Sequence, residues 1–107
     1  MSSAQAPGPD AVGRLGTVVD ALWETIESRR EADPESSYTA RLLSGPEDKL
    51  LKKIAEESGE VIMAAKDADP AQLRYESADL VYHLLVVLAR WGLTPDDLAA
   101  ELESRFK

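Results

Sequence analysis

The chain has 107 residues, with 20 Asp or Glu against 12 Lys or Arg and a formal net charge of -8. That length argues for one domain, whose small core gains from a partner subunit. The acidic balance disfavours non-specific binding to nucleic acid or to an anionic membrane, and the absence of Cys excludes disulfides, zinc–thiolate sites and thiol nucleophiles.

Met1–Asp10 reads as a disordered tail, small and polar, without the basic start or apolar core of a signal peptide. Residues 11–107 read as a single all-α domain. A first helix is predicted from Ala11 to Arg30, because Val12, Leu15, Val19, Leu22, Trp23 and Ile26 fall at helical spacing. Gly13 and Gly16 weaken its first turns. After the polar loop Glu31–Ser37, the segment Ser37-Tyr38-Thr39-Ala40-Arg41-Leu42-Leu43 predicts a short helical turn capped by Ser37.

Ser44-Gly45-Pro46-Glu47 matches the capping-box pattern and opens a second long helix reaching Lys66. Leu50, Leu51, Ile54, Ser58, Val61, Ile62 and Ala65 make one of its faces. Lys49, Lys53, Glu56, Glu57 and Glu60 make another. Asp69, followed by Pro70, caps a third long helix ending near Trp91, with Gly92 as its stop. This helix is apolar nearly all round from Leu80 to Ala89, more than one helical layer covers, which predicts a homodimer. Yet Glu76, Asp79, His83 and Arg90 share one narrow stripe. Unpaired buried charge is costly, so such a stripe marks a site. Thr94-Pro95-Asp96-Asp97 caps a last helix of about ten residues, carrying Leu98, Leu102 and Phe106 inward. No strand pattern, repeat or apolar run long enough to span a bilayer occurs. The chain reads as an all-α bundle of four main helices, located in the cytoplasm.

Glu56, Glu57 and Glu60 project together from one helix, and Glu76 and Asp79 from the next. Like charges three or four residues apart destabilise a helix by a few tenths of a kcal/mol per pair. Their clustering makes sense if a cation sits between them. Magnesium prefers oxygen ligands and is held by a few carboxylates together with substrate phosphates. Glu57 and Glu60 facing Glu76 and Asp79 across antiparallel helices provide such a set. Phosphoryl chemistry needs positioning and charge stabilisation rather than a protein nucleophile. Glu56 stands beside the cluster to orient or deprotonate water, and Lys49 and Lys53 stand upstream to hold phosphate oxygens.

Three segments carry a resemblance: Ser37–Leu43, Lys52-Lys53-Ile54-Ala55-Glu56-Glu57, and Glu76-Ser77-Ala78-Asp79-Leu80-Val81-Tyr82-His83-Leu84-Leu85. Together they resemble the phosphoribosyl-ATP pyrophosphatases, a family of the MazG-like all-α nucleotide pyrophosphohydrolases. The hallmark of that superfamily, E-E-x-x-E followed by E-x-x-D, is matched at Glu56, Glu57, Glu60, Glu76 and Asp79. The resemblance runs from Trp23 to Lys107. It implies a magnesium-dependent, usually dimeric enzyme that hydrolyses phosphoribosyl-ATP to phosphoribosyl-AMP and pyrophosphate in histidine biosynthesis. It alone makes Tyr38 and Thr39 substrate contacts. Ser58-Gly59 departs from the helix formers expected inside the motif, at about 1 kcal/mol for the glycine, and touches no ligand.

Competing readings exist. Glu56, Glu57 and Glu60 taken alone fit a solvated face, with Lys53 pairing to Glu57. His83 fits a hydrogen-bonded core group or a partner of the Asp79 carboxylate. Arg90 fits an ion pair, and Trp23 and Trp91 fit packing roles. The acidic hallmark equally suits a house-cleaning nucleoside triphosphate pyrophosphohydrolase. A non-catalytic helical dimerisation module would need no magnesium.

Overall fold

The computed structural model describes residues 13–106. The sequence-based tail at residues 1–10, together with Ala11 and Val12, lies outside them. The described residues form five helices and no strand: α1 (Arg14–Ser28), α2 (Tyr38–Ser44), α3 (Glu47–Lys66), α4 (Pro70–Arg90) and α5 (Pro95–Glu103). The antiparallel α3–α4 hairpin is the most extensive pairing, and α1 and α2 both pack on α4.

Local chemistry sets most boundaries. Gly13, at φ 76°, precedes α1 in the left-handed region, so the helix begins later than its apolar spacing suggests. Ser37 caps α2 by accepting from the Ala40 amide. Asp69 caps α4 by accepting from the Gln72 amide. Thr94 and Asp97 form a reciprocal capping box on α5. At the far end of α4, Gly92 takes φ 73°, and Leu93 N–H closes on the Leu88 carbonyl at 2.9 Å. This is a Schellman stop that glycine adopts without a Cβ penalty.

The predicted capping box at Ser44 is not formed. Ser44 belongs to α2, where its hydroxyl donates to the Ala40 carbonyl at 2.8 Å, and α3 starts behind Pro46 with no side-chain cap. The two helices are nearly contiguous, so Ser44 is already committed to the first. A Cβ on Gly45 would lie 2.7 Å from the Arg41 carbonyl oxygen, which keeps this junction closed to larger residues. Glu47 and Asp48 place negative charge in the first turn of α3 instead.

The core gathers Ile26, Leu42, Leu50, Leu85, Val86 and Ala89, with Val19, Leu22, Trp23, Leu43 and Tyr82 packed against it. On α3 the buried residues are Leu50, Glu57 and Ala64, spaced by seven. The helix is therefore rotated from the predicted separation of faces: Glu57 turns inward, while Leu51 and Ile62 are exposed. Val81 and Leu84 on α4 are uncovered too. Helix α5 buries nothing, and Leu98, Leu102 and Phe106, expected inward, are 37%, 51% and 79% exposed. One layer of helices on α4 does not reach these positions. Arg90 makes no ion pair among the described residues. Its guanidinium donates to the carbonyls of Leu42, Leu43 and Gly45 at 2.8, 3.1 and 2.8 Å. It thereby satisfies the open C-terminal end of α2 from another helix. Trp23 packs on the core, whereas Trp91 is exposed and donates its indole N–H to Glu47.

Candidate active site

Three ionisable side chains are buried among the described residues: Glu57, Glu76 and His83, each no more than 6% exposed. All three lie in the α3–α4 groove, because positions 76 and 83 are two turns apart on α4 and face the inward stripe of α3. His83 joins the elements. Its Nδ1 lies 2.7 Å from Glu57 Oε1 and 2.9 Å from the Asp79 carbonyl oxygen one turn back. Its Nε2 lies 2.9 Å from the Tyr38 hydroxyl on α2. A proton on Nδ1 directed at the Asp79 carbonyl leaves Nε2 to accept from Tyr38. Glu57 Oε1 then has a close positive edge but no aligned donor, and it is an orphaned buried acceptor.

Burial pushes the Glu57 carboxyl above the ordinary glutamate range. His83 pulls it back, Asp79 raises it again, and Lys53 lowers it. The Lys53–Glu57 pair of a solvated face is not formed among the described residues, since Glu57 faces His83. One turn along α3, Glu60 approaches Glu76. The hydrogen-bonding contact with Glu76 and its like charge push Glu60 upward, with smaller contributions from Glu57 and Glu56. Glu76 Oε2 accepts from Gln72 Nε2 at 2.7 Å, while its buried Oε1 has no partner. Like charge at this range makes ionising both carboxylates costly, a cost that a cation between them would lower. Asp79 is half-buried and Glu56 exposed, both at the edge of this groove. Among the described residues no three acidic or histidine side chains stand close enough to enclose an ion by themselves.

Upstream on α3, Lys49 and Lys53 line a cleft of about 390 Å³ with Tyr38 and Arg41 of α2. Burial raises the Tyr38 phenol above its usual value and Lys53 lowers it, so it remains a neutral donor near pH 7. Thr39 lies on the other side of Tyr38, in a cleft shared with Arg29 and Ser36, where its hydroxyl meets the Tyr82 hydroxyl at 2.5 Å. The groove thus runs from cations at the start of α3 to carboxylates at its middle. Sequence reasoning noticed the His83 stripe but not its role as the junction between Tyr38 and Glu57, and it passed over Arg41 and Gln72. Arg41 stood inside the quoted Ser37–Leu43 segment, whereas the Tyr38–His83 contact joins residues 45 apart in sequence and left no local signal.

The phosphoribosyl-ATP pyrophosphohydrolase family model matches residues 19–106. A phosphoribosyl-ATP pyrophosphatase of Nitrosomonas eutropha is 54% identical over 89 residues, covering 83% of this chain and 76% of that protein. One of Pelotomaculum thermopropionicum is 53% identical over 88 residues, covering 82% of this chain and 90% of that protein. The histidine biosynthesis bifunctional protein HisIE of Thermus thermophilus is 52% identical over 93 residues, which make up 87% of this chain but 44% of that protein. With the acidic groove of α3 and α4 and a match across nearly all described residues, the chain belongs to the phosphoribosyl-ATP pyrophosphohydrolase family.

Proposed function

We propose that this protein hydrolyses phosphoribosyl-ATP between its α and β phosphates, giving phosphoribosyl-AMP and pyrophosphate, as a magnesium-dependent homodimer in the cytoplasm. The observation that carries this reading is the pair of buried carboxylates: Glu76 Oε1 has no partner, and Glu57 Oε1 has only the unaligned His83 Nδ1 at 2.7 Å. Such oxygens call for a proton, a water, a cation or a ligand to complete them, and the cluster of like charge around them favours a cation. The donor set fits magnesium, which retains water and phosphate oxygens and asks only one or a few carboxylates of the protein. Glu57, Glu60, Glu76 and Asp79 would hold it. Bound there, magnesium would neutralise phosphate charge and acidify a coordinated water.

The remaining work falls to the chain. Glu56, exposed beside the cluster, accepts a proton from the attacking water. Lys49 and Lys53 hold phosphate oxygens, and Tyr38, whose hydroxyl proton is committed to His83, offers its ring face as a wall for the substrate. Thr39 positions the substrate's other face. The α3–α4 hairpin supplies a rigid frame for these groups. Support for the homodimer comes from the uncovered apolar residues of α3, α4 and α5, among them Ile62, Val81, Leu84 and Leu102. For the location, no helix among the described residues is long and apolar enough to cross a membrane.

The test is product analysis with phosphoribosyl-ATP, dUTP and dCTP in parallel. Equimolar phosphoribosyl-AMP and pyrophosphate from the first substrate, at a kcat/KM well above the other two, is the expected result. Faster turnover of dUTP or dCTP would transfer the reading to a house-cleaning pyrophosphohydrolase.

A further inference from the structure

Phosphoribosyl-ATP is anionic at both ends, with a triphosphate on the adenosine ribose and a monophosphate on the second ribose attached to the base. The carboxylate groove provides for the scissile end alone. We propose that the cleft between α2 and the start of α3 is the subsite for the distal ribose phosphate, with Arg41 as its principal ligand. The inference rests on the hydrolase reading above and deepens it.

Three cations, Arg41, Lys49 and Lys53, line this cleft and no acidic residue does, in a chain whose net charge is -8. None of the three is salt-bridged among the described residues. Cations gathered without carboxylate partners repel one another unless an anion joins them. Arg41 is also oriented. Its Nη1 donates to the Pro34 carbonyl at 2.7 Å, and its guanidinium carbon lies 5.7 Å from the centre of the Tyr38 ring. Its Nε and Nη2 make no hydrogen bond among the described residues. That leaves one edge of a planar fork free for the paired oxygens of a phosphate.

Position fits as well. Lys49 precedes Glu57 by eight residues, about 12 Å along the α3 axis at 1.5 Å per residue. The adenosine ribose, the adenine and the second ribose lie between the two phosphate ends of the substrate and can span a gap of that order. The other walls, Pro34, Leu42 and Pro46 with the Tyr38 ring, are apolar surfaces suited to a sugar or base edge, and the cleft's volume is of the size that small ligands occupy. A plain nucleoside triphosphate lacks the group that would fill it. The cleft therefore supplies discrimination between phosphoribosyl-ATP and ordinary nucleotides.

Inhibition of the full-length enzyme by AMP and by phosphoribosyl-AMP tests this, since the second adds the phosphoribosyl group that carries the distal phosphate, and the Arg41 variants isolate the phosphate's share of the difference. Wild-type protein is expected to bind phosphoribosyl-AMP about tenfold or more tightly than AMP, as one charge-assisted phosphate contact provides. Arg41→Ala should erase most of that gap while changing the inhibition constant of AMP less than twofold. Arg41→Gln retains an N–H donor for the Pro34 carbonyl and should behave like Arg41→Ala. If Arg41→Gln restores the gap, or if both variants weaken the two inhibitors equally, Arg41 holds the loop and the subsite assignment is wrong. Failure of wild-type protein to release pyrophosphate from phosphoribosyl-ATP would instead overturn the hydrolase reading. An active wild type whose Arg41 variants keep the gap overturns the subsite alone.

Discussion

Replacing Glu76 with Gln should make the metal-free protein more stable and the enzyme inactive. Glu76 is 5% exposed. One carboxylate oxygen accepts from Gln72 at 2.7 Å, and the other is buried without a donor. A buried acceptor left unsatisfied costs about 1–3 kcal/mol. The Gln amide keeps an oxygen for Gln72, replaces the orphaned oxygen with an amide nitrogen and removes the like charge that raises Glu60. Recovering even about 1 kcal/mol raises Tm by about 4–8 °C in a domain of this size. Glu76→Gln should therefore melt at least about 4 °C above wild type in EDTA. Magnesium should then raise the wild-type Tm, because a ligand that binds only the folded state stabilises it by mass action. The variant should respond weakly and release pyrophosphate orders of magnitude more slowly. Scanning calorimetry in EDTA and across a magnesium series, with a pyrophosphate assay on the same samples, reads all three. A variant that melts below wild type in EDTA and still turns over would show Glu76 to be a structural hydrogen-bonding group.

His83→Leu should cost about 3 kcal/mol by denaturant unfolding, because it strands the buried Glu57 carboxylate. Adding Glu57→Leu should recover part of that loss, since an apolar pair of similar volume often replaces a buried ionic pair without penalty, whereas equal stability of His83→Leu and wild type would contradict the junction assigned to His83. Lys53→Ala should raise KM or lower kcat at least about tenfold, or 1.4 kcal/mol; a change under twofold would return Lys53 to an ordinary solvated face. Sedimentation at micromolar concentration should show a dimer that Leu84→Glu dissociates, and an active wild-type monomer would refute the interface proposed on the uncovered face of α4.

Fold class and most helix ends were legible because they are local. Ser37, Asp69 and Thr94 cap through side chains acting three residues away, and Gly92 stops α4 through its own backbone freedom. Ser44 misled because the same residue types fit the end of one helix and the start of the next, and only the spacing of two adjoining helices decides. The rotation of α3 was illegible for a different reason. Which of two overlapping stripes turns inward depends on the neighbour, and α4 chose the stripe containing Glu57. At the site, the carboxylate spacing could be read because residues three or four apart share a helix face. The bridge from Tyr38 through His83 to Glu57 could not, since it joins three helices. The outward positions of Leu102 and Phe106 follow from the same limit: an apolar periodicity marks a face that wants cover without saying which chain provides it.

The central claim is that carboxylates from both helices form one magnesium site that drives hydrolysis. Isothermal titration of magnesium into wild type, Glu60→Gln and Asp79→Asn, paired with pyrophosphate release from phosphoribosyl-ATP, tests it most directly. The account predicts that a single neutral amide on either α3 or α4 weakens magnesium binding and lowers turnover by orders of magnitude, with the fold intact. Unchanged magnesium binding and near wild-type turnover in both variants would contradict it.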